Sequence, residues 1–269
     1  MSEDAPPAPA FYEPLGDGRF ASTPATAGPW SPGLQHGGPV SGLIGRAFER
    51  HDPVPGTRVA RVTVEILSPV PVAVLDVAVR VARPGRRVAH LEGEIRHEGR
   101  TVVRATAWRI LAAPERLEPV VHAPGPPPLP GATPPFGDWA DLHVGGYVAA
   151  MEWRPVEGHF TRPGPGTVWA RPRVPLVAGE ADTPLVRALT LADSASGVGS
   201  QLDLAKWLII NTDVTVALHR DPVGEWLCLA AALDASPGGS ALCHATLADA
   251  SGEFGRALQT LLVDDRPPA

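Results

Sequence analysis

One carboxylate stands out as able to do chemistry: Asp193, set among apolar and small neighbours in the stretch ALTLADSASGVG, Ala188 to Gly199. Leu185, Val186, Leu189 and Ala192 recur at helical spacing before it, which predicts a largely buried helix with Asp193 near its C-terminal end. Taking a carboxylate out of water costs on the order of several kcal/mol unless something hydrogen-bonds or uses it. Such an acid is a candidate general base. The competing reading is local: Asp193 caps the small-residue segment 194–200 and points at water.

Composition narrows what that acid can act on. The 269 residues are 44% hydrophobic and 19% charged, enough for one large core or two small ones, and two is the preferred division. A net charge of -6 with no long run of one sign offers no basic surface for nucleic acid or anionic membranes. Cys228 and Cys243 lie in apolar, strand-like segments without metal-binding spacing, so they read as core residues in a reducing compartment, and no metal or redox cofactor is implied. The N-terminus lacks a basic start followed by an apolar run, and no stretch of about 18 apolar residues occurs. The expectation is a soluble cytoplasmic protein.

The elements that must position Asp193 come in two similar series. Residues 1–10 are Pro-rich and polar and read as disordered; 11–24 suits a strand with a turn at Gly16-Asp17-Gly18. From Pro39, the residues Val40, Leu43, Ile44, Ala47 and Phe48 follow a helical period, with Gly42 and Gly45 suggesting close packing on a sheet. Alternation then predicts strands at 58–67, 72–82, 88–97 and 101–111, a mostly antiparallel meander. Residues 112–138, including PGPPPLPGATPP, resist helix and strand and read as a linker. Beyond it the order repeats: strands near 147–154 and 167–174, the Asp193 helix, then strands at 209–219, 225–235, 240–249 and 253–263. This is an internal duplication at the level of elements.

A central helix wrapped by a curled antiparallel sheet, duplicated in one chain, resembles the double hotdog arrangement of acyl-CoA thioesterases, above all the thioesterase II family and its thioesterase-like relatives. The resemblance runs from about Phe11 to Val263, and QHGGPV, LADSASG, NTDVTVALHR and GRALQTLLV carry it most specifically. It implies an α+β tandem hotdog with halves at 11–111 and 139–265. Single-hotdog relatives carry His-Gly-Gly at the start of one helix and an Asp about nine positions after the His. Here the two halves divide that pattern: the first keeps His36-Gly37-Gly38 but has Gly45 at the acid position, and the second keeps Asp193 but starts at Pro184-Leu185-Val186. One composite site is the expected result.

In that site the helix start at Gly37 and Gly38 presents unpaired N–H groups and the positive end of the helix dipole to a thioester carbonyl. Asp193 opposite would activate a water as general base, or attack directly. The resemblance adds a Gln, matching Gln259, and a hydroxyl residue whose position falls on Asn211, with Thr212 the alternative if the register slips by one. Strand alternation sends Thr212 to the other face, so Asn211 comes first. His36 either serves the site or caps and packs; Gln259 either reaches it or faces outward. Arg220 reads as a turn or salt-bridge residue that could instead meet a CoA phosphate. Gly158-His159-Phe160 echoes a hotdog dehydratase motif, but a strand-like TVWARPRV follows it and His159 reads as a loop residue. The first expectation is therefore an acyl-CoA thioesterase acting on an acyl-CoA, and the second is a non-catalytic acyl-CoA or acyl-carrier binding protein. A hydratase or dehydratase comes third, and a homodimer through sheet edges is implied by the resemblance alone.

Overall fold

The computed structural model describes residues 6–112, 117–118, 120, 124–132, 142–160 and 162–266, and in it one series of elements is laid down twice. First come a hairpin, β1 (Tyr12–Gly16) and β2 (Arg19–Ser22), helix α1 (Gly37–Arg50), and strands β3 (Thr57–Ile66), β4 (Val74–Arg83), β5 (Val88–His97) and β6 (Arg100–Leu111). The second series opens with a one-turn helix α2 (Tyr147–Ala150) and the hairpin β7 (Met151–His159) and β8 (Arg162–Pro172). Helix α3 (Pro184–Ala192), a short α4 (Ala195–Val198), and strands β9 (Trp207–Asn211), β10 (Asp213–Leu218), β11 (Leu227–Ser236), β12 (Ser240–Asp249) and β13 (Gly252–Asp265) complete it.

The strands join in one antiparallel sheet whose centre is the pair β3 and β10. Outward from that centre the order is β3-β6-β5-β4-β2-β1 on one side and β10-β13-β12-β11-β8-β7 on the other, with β9 alongside β13. The two orders are the same. At the seam the tripeptide Val-Thr-Val occurs on both strands, Val62 to Val64 against Val214 to Val216, and the Thr63 and Thr215 hydroxyls meet at 3.0 Å. The element order read twice from the sequence recurs in the strand order of the two sides.

Alternation explains which face is buried. On β13, Ala257, Gln259 and Leu261 point inward while Leu258, Thr260 and Leu262 face out. Helix α1 lies against β3, β4 and β5, and α3 against β8, β10, β11 and β12, and the two helices pack on each other. They run antiparallel, because Gly37 meets Asp193 at one end and Gly45 meets Leu185 and Leu189 at the other. A Cβ on Gly42 would sit 2.5 Å from Thr190 Oγ1, and one on Gly45 would overlap Leu189 Cδ1. These glycines therefore serve the helix pair and not packing on the sheet, which is a correction. The glycine that admits α1 onto the sheet is Gly93 on β5, where a Cβ would press on Ile44 and Phe48. Arg109, buried, closes the far end of α1 by donating to the carbonyls of Phe48, His51 and Asp52.

Other expectations shift in detail. Tyr147 to Ala150 is helical, and the strand begins at Met151. The strand expected at 209–219 breaks at Thr212 into β9 and β10, and His219 lies just past its end. His159 is the last residue of β7 and not part of a loop. The expected disorder at 1–10 lies partly outside the described residues; Ala10 is buried and Ala8 packs on the core. Part of the linker lies against the sheet: Trp169 donates its indole N–H to the Pro127 carbonyl at 3.1 Å and Arg154 donates to that of Pro130 at 2.9 Å.

Candidate active site

The site forms where the start of α1 meets the end of α3. The segment leading into α1 is pinned through Gln35, which accepts from the Tyr12 hydroxyl at 2.6 Å and donates to Ser22 Oγ and the Pro71 carbonyl, both at 2.7 Å. His36 follows as the N-cap, its Nδ1 accepting from the Gly38 N–H at 3.0 Å, so that this N–H is paired and not open as expected. Gly37 and Gly38 start the helix because nothing larger fits. A Cβ on Gly37 would lie 2.7 Å from both carboxylate oxygens of Asp193, and one on Gly38 would overlap the Thr190 carbonyl. Pro39 has no N–H to satisfy, which suits the first turn.

Asp193 closes α3 as its C-cap and keeps 4% of its surface exposed. Four groups hold it. Asn211 donates Nδ2–H to Oδ1 at 2.7 Å, and His36 Nδ1 lies 3.0 Å from Oδ2. Gln259, fully buried, donates to the Asp193 backbone carbonyl at 3.1 Å and reaches Oδ1 at 3.4 Å, while its own carbonyl accepts from Ser196 N–H at 3.0 Å. The fourth is Gly37, which leaves no room for a Cβ beside the carboxylate. The structure thus brings together Asp193, Gln259, Asn211, His36, Gly37 and Gly38. Thr212 lines the same cavity, but its hydroxyl donates to the Thr260 carbonyl at 3.2 Å and not to the acid. The break between β9 and β10 sets Asn211 beside the acid and Thr212 beyond it.

A cavity of about 430 Å³ opens on this cluster, lined by His36, Gly37, Asp193 and Asn211 and otherwise largely by apolar side chains such as Trp30, Phe160 and Ile209. A larger depression of about 520 Å³ lies on the outer face of the sheet over Thr215, Ala230 and His244, away from Asp193. It does not contain the cluster. Arg220, considered for a CoA phosphate, is engaged inside the chain, donating twice to Asp249 and once to the Gly252 carbonyl. Among the described residues no group of three or more His, Cys, Asp or Glu is placed to hold a metal.

Tyr147 is the part that sequence reasoning missed. Its ring stacks on His36 with centroids 3.9 Å apart and planes 14° from parallel. Its hydroxyl donates to the Thr190 carbonyl at 2.8 Å and lies 2.9 Å from Ser194 Oγ. Burial pushes the phenol well above its ordinary pKa, so it stays a neutral donor. The signal was the pair Gly145-Gly146 before it, since a Cβ on Gly146 would overlap Ala27 and keep α2 from its place. Ser194 and Ser196, read only as small residues of the LADSASG segment, also line the cavity.

The sequence matches the family described as acyl-CoA thioesterase, its N-terminal domain over residues 26–110 and its C-terminal domain over residues 114–263. The chain belongs to that family. Among solved structures it is similar to a candidate thioesterase of Novosphingobium aromaticivorans, with a TM-score of 0.74 at 22% identity over 94% of this chain and 98% of that one. A tesB protein of Mycobacterium avium gives 0.65 at 20% identity over 96% of both chains. A protein of unknown function with a hot dog fold from Alicyclobacillus acidocaldarius gives 0.74 at 17% identity over 100% and 99%. At these identities the likeness is one of fold. No curated protein matches the sequence.

Proposed function

We propose that this chain is a thioester hydrolase that converts an acyl-CoA and water to the free acid and CoA, built as two hotdogs in tandem over 11–111 and 139–265 with 112–138 between them, and working in the cytoplasm. The observation that carries the reading is Asp193, nearly buried, facing the glycine start of α1 at the wall of an apolar cavity. The positive end of α1 and the N–H group of Gly37 would polarise the thioester carbonyl and hold the oxyanion that develops, while the Gly38 N–H is held by His36. Asp193 would supply the negative charge that activates the attacking water, with Asn211 and Gln259 fixing the carboxylate. The membership in an acyl-CoA thioesterase family supports the substrate class.

Free-thiol release from short, medium, long and aromatic acyl-CoAs tests the reading when wild type is compared with Asp193→Asn. Wild type turns over part of the panel, and the variant loses about 10³-fold or more while its melting curve is retained. Binding of acyl-CoA without thiol release by wild type would replace the hydrolase with an acyl-CoA binding protein.

A further inference from the structure

Resting on the hydrolase reading, the structure assigns to Ser194 the task of aiming the attacking water, with Tyr147 fixing which way the Ser194 hydroxyl points. Two oxygens meet the Tyr147 hydroxyl. The Thr190 carbonyl lies 2.8 Å from it and Ser194 Oγ 2.9 Å. A carbonyl can only accept, so the one phenolic proton is spent on Thr190. Burial raises the phenol well above its ordinary pKa, and that proton stays in place. The hydrogen between Tyr147 and Ser194 must then come from Ser194. Its Oγ has no other partner among the described residues, so it turns lone pairs and no proton towards the cavity that Ser194 lines.

Such an oxygen repels a thioester carbonyl and takes only a donor. The thioester group has no N–H or O–H of its own, and water has two. Asp193, the preceding residue and part of the same cavity wall, takes the first. Its Oδ1 accepts from Asn211 and lies within reach of Gln259, while Oδ2 accepts no N–H or O–H among the described residues. With one proton on Asp193 Oδ2 and the other on Ser194 Oγ, the water turns a lone pair into the cavity, where the thioester carbon would lie.

The step balances. The water oxygen bonds to the thioester carbon as the first proton passes to Asp193 Oδ2, and the carbonyl electrons move to the oxygen held at the Gly37 N–H. The C–S bond then breaks, and the thiolate takes the proton from Asp193. The second water proton leaves with the free acid, and Ser194 gives up no proton at any stage.

Kinetics separate aiming from binding. Ser194→Ala should lower kcat about tenfold to 10²-fold, while KM and the Kd of a non-hydrolysable thioether analogue of the substrate stay within about twofold. Tyr147→Phe keeps the ring and lets the Ser194 proton turn, so it should cost a few-fold in kcat alone and add almost nothing on top of Ser194→Ala. Should Ser194→Ala melt below the assay temperature, Ser194→Cys keeps the volume with a poor acceptor and carries the same expectation. A loss in kcat under about threefold, a loss matched by weaker binding of the analogue, or losses that multiply in the double variant overturn the assignment. Absence of thiol release from every acyl-CoA by wild type would instead sink the hydrolase reading on which this one rests.

Discussion

The antiparallel pair α1 and α3 has two ends built on the same plan, and each holds a carboxylate in its own way. At the first, His36 caps α1 and Asp193 lies across from it at the end of α3. At the second, Thr183 caps α3, and the position ten residues past the α1 cap, which matches Asp193 when the two caps are aligned, is Arg46. Arg46 grips Glu180 with two hydrogen bonds at 2.7 and 2.6 Å, and Arg50 adds a third at 2.8 Å. Thr183 donates to Glu49 at 2.6 Å. The same scaffold thus holds a carboxylate in two ways. Guanidinium groups neutralise Glu180 and hold its carboxyl below the usual range, which makes a clamp. Amides and an imidazole hold Asp193 in place without cancelling its charge, beside a cavity.

The sharpest way to break this comparison is Gly37→Ala. Its Cβ would fall 2.7 Å from both Asp193 oxygens, so the carboxylate must move; kcat/KM should drop about 10²-fold, a size typical of small misplacements in an active site. Arg46→Met acts at the other end and should do the opposite. Thiol release is unchanged, while loss of the charged hydrogen bonds costs about 1–3 kcal/mol, read as a fall in Tm of about 2–4 °C per kcal/mol.

Acid titration of stability sharpens the same contrast. Glu180 has a lowered folded-state pKa, so its contribution is complete above the unfolded value of about 4.3 and fades as pH falls through the lowered one. Glu49 runs the other way. Burial raises its folded-state pKa, so stability is complete below the unfolded value and declines as pH rises through the raised one. Glu49→Gln should therefore raise Tm slightly at neutral pH and leave it unchanged in acid, checked by melts across that range. The smallest effect expected is that of Tyr147→Phe, which keeps the stack on His36 and gives up the hydroxyl bonds, about 1 kcal/mol of stability.

Much of this was legible in the sequence because strand alternation and helical periodicity record which side of each element is buried. Six of the seven residues proposed for the site do gather in one place, since a buried acid, a glycine helix start and a Gln inside an apolar strand are each costly enough to need a reason. What stayed hidden depended on partners distant in sequence. Gly42 and Gly45 signal close approach without saying to what, and the partner is α3. Tyr147 lies in a segment whose short helical turn has no period to detect, and its role comes from a stack across more than a hundred residues. The clamp at Arg46 escaped because counting nine positions from His36 lands on Gly45, whereas aligning the caps lands one residue further.

The central claim, one working end and one clamped end, is tested most directly by assaying Asp193→Asn and Glu49→Gln side by side for thiol release on whichever acyl-CoA wild type hydrolyses, with melting curves for both. The account predicts near-complete loss for Asp193→Asn and wild-type rates for Glu49→Gln, both variants folded. Full activity in Asp193→Asn, or its collapse in a folded Glu49→Gln, would place the chemistry at the other end of the helix pair.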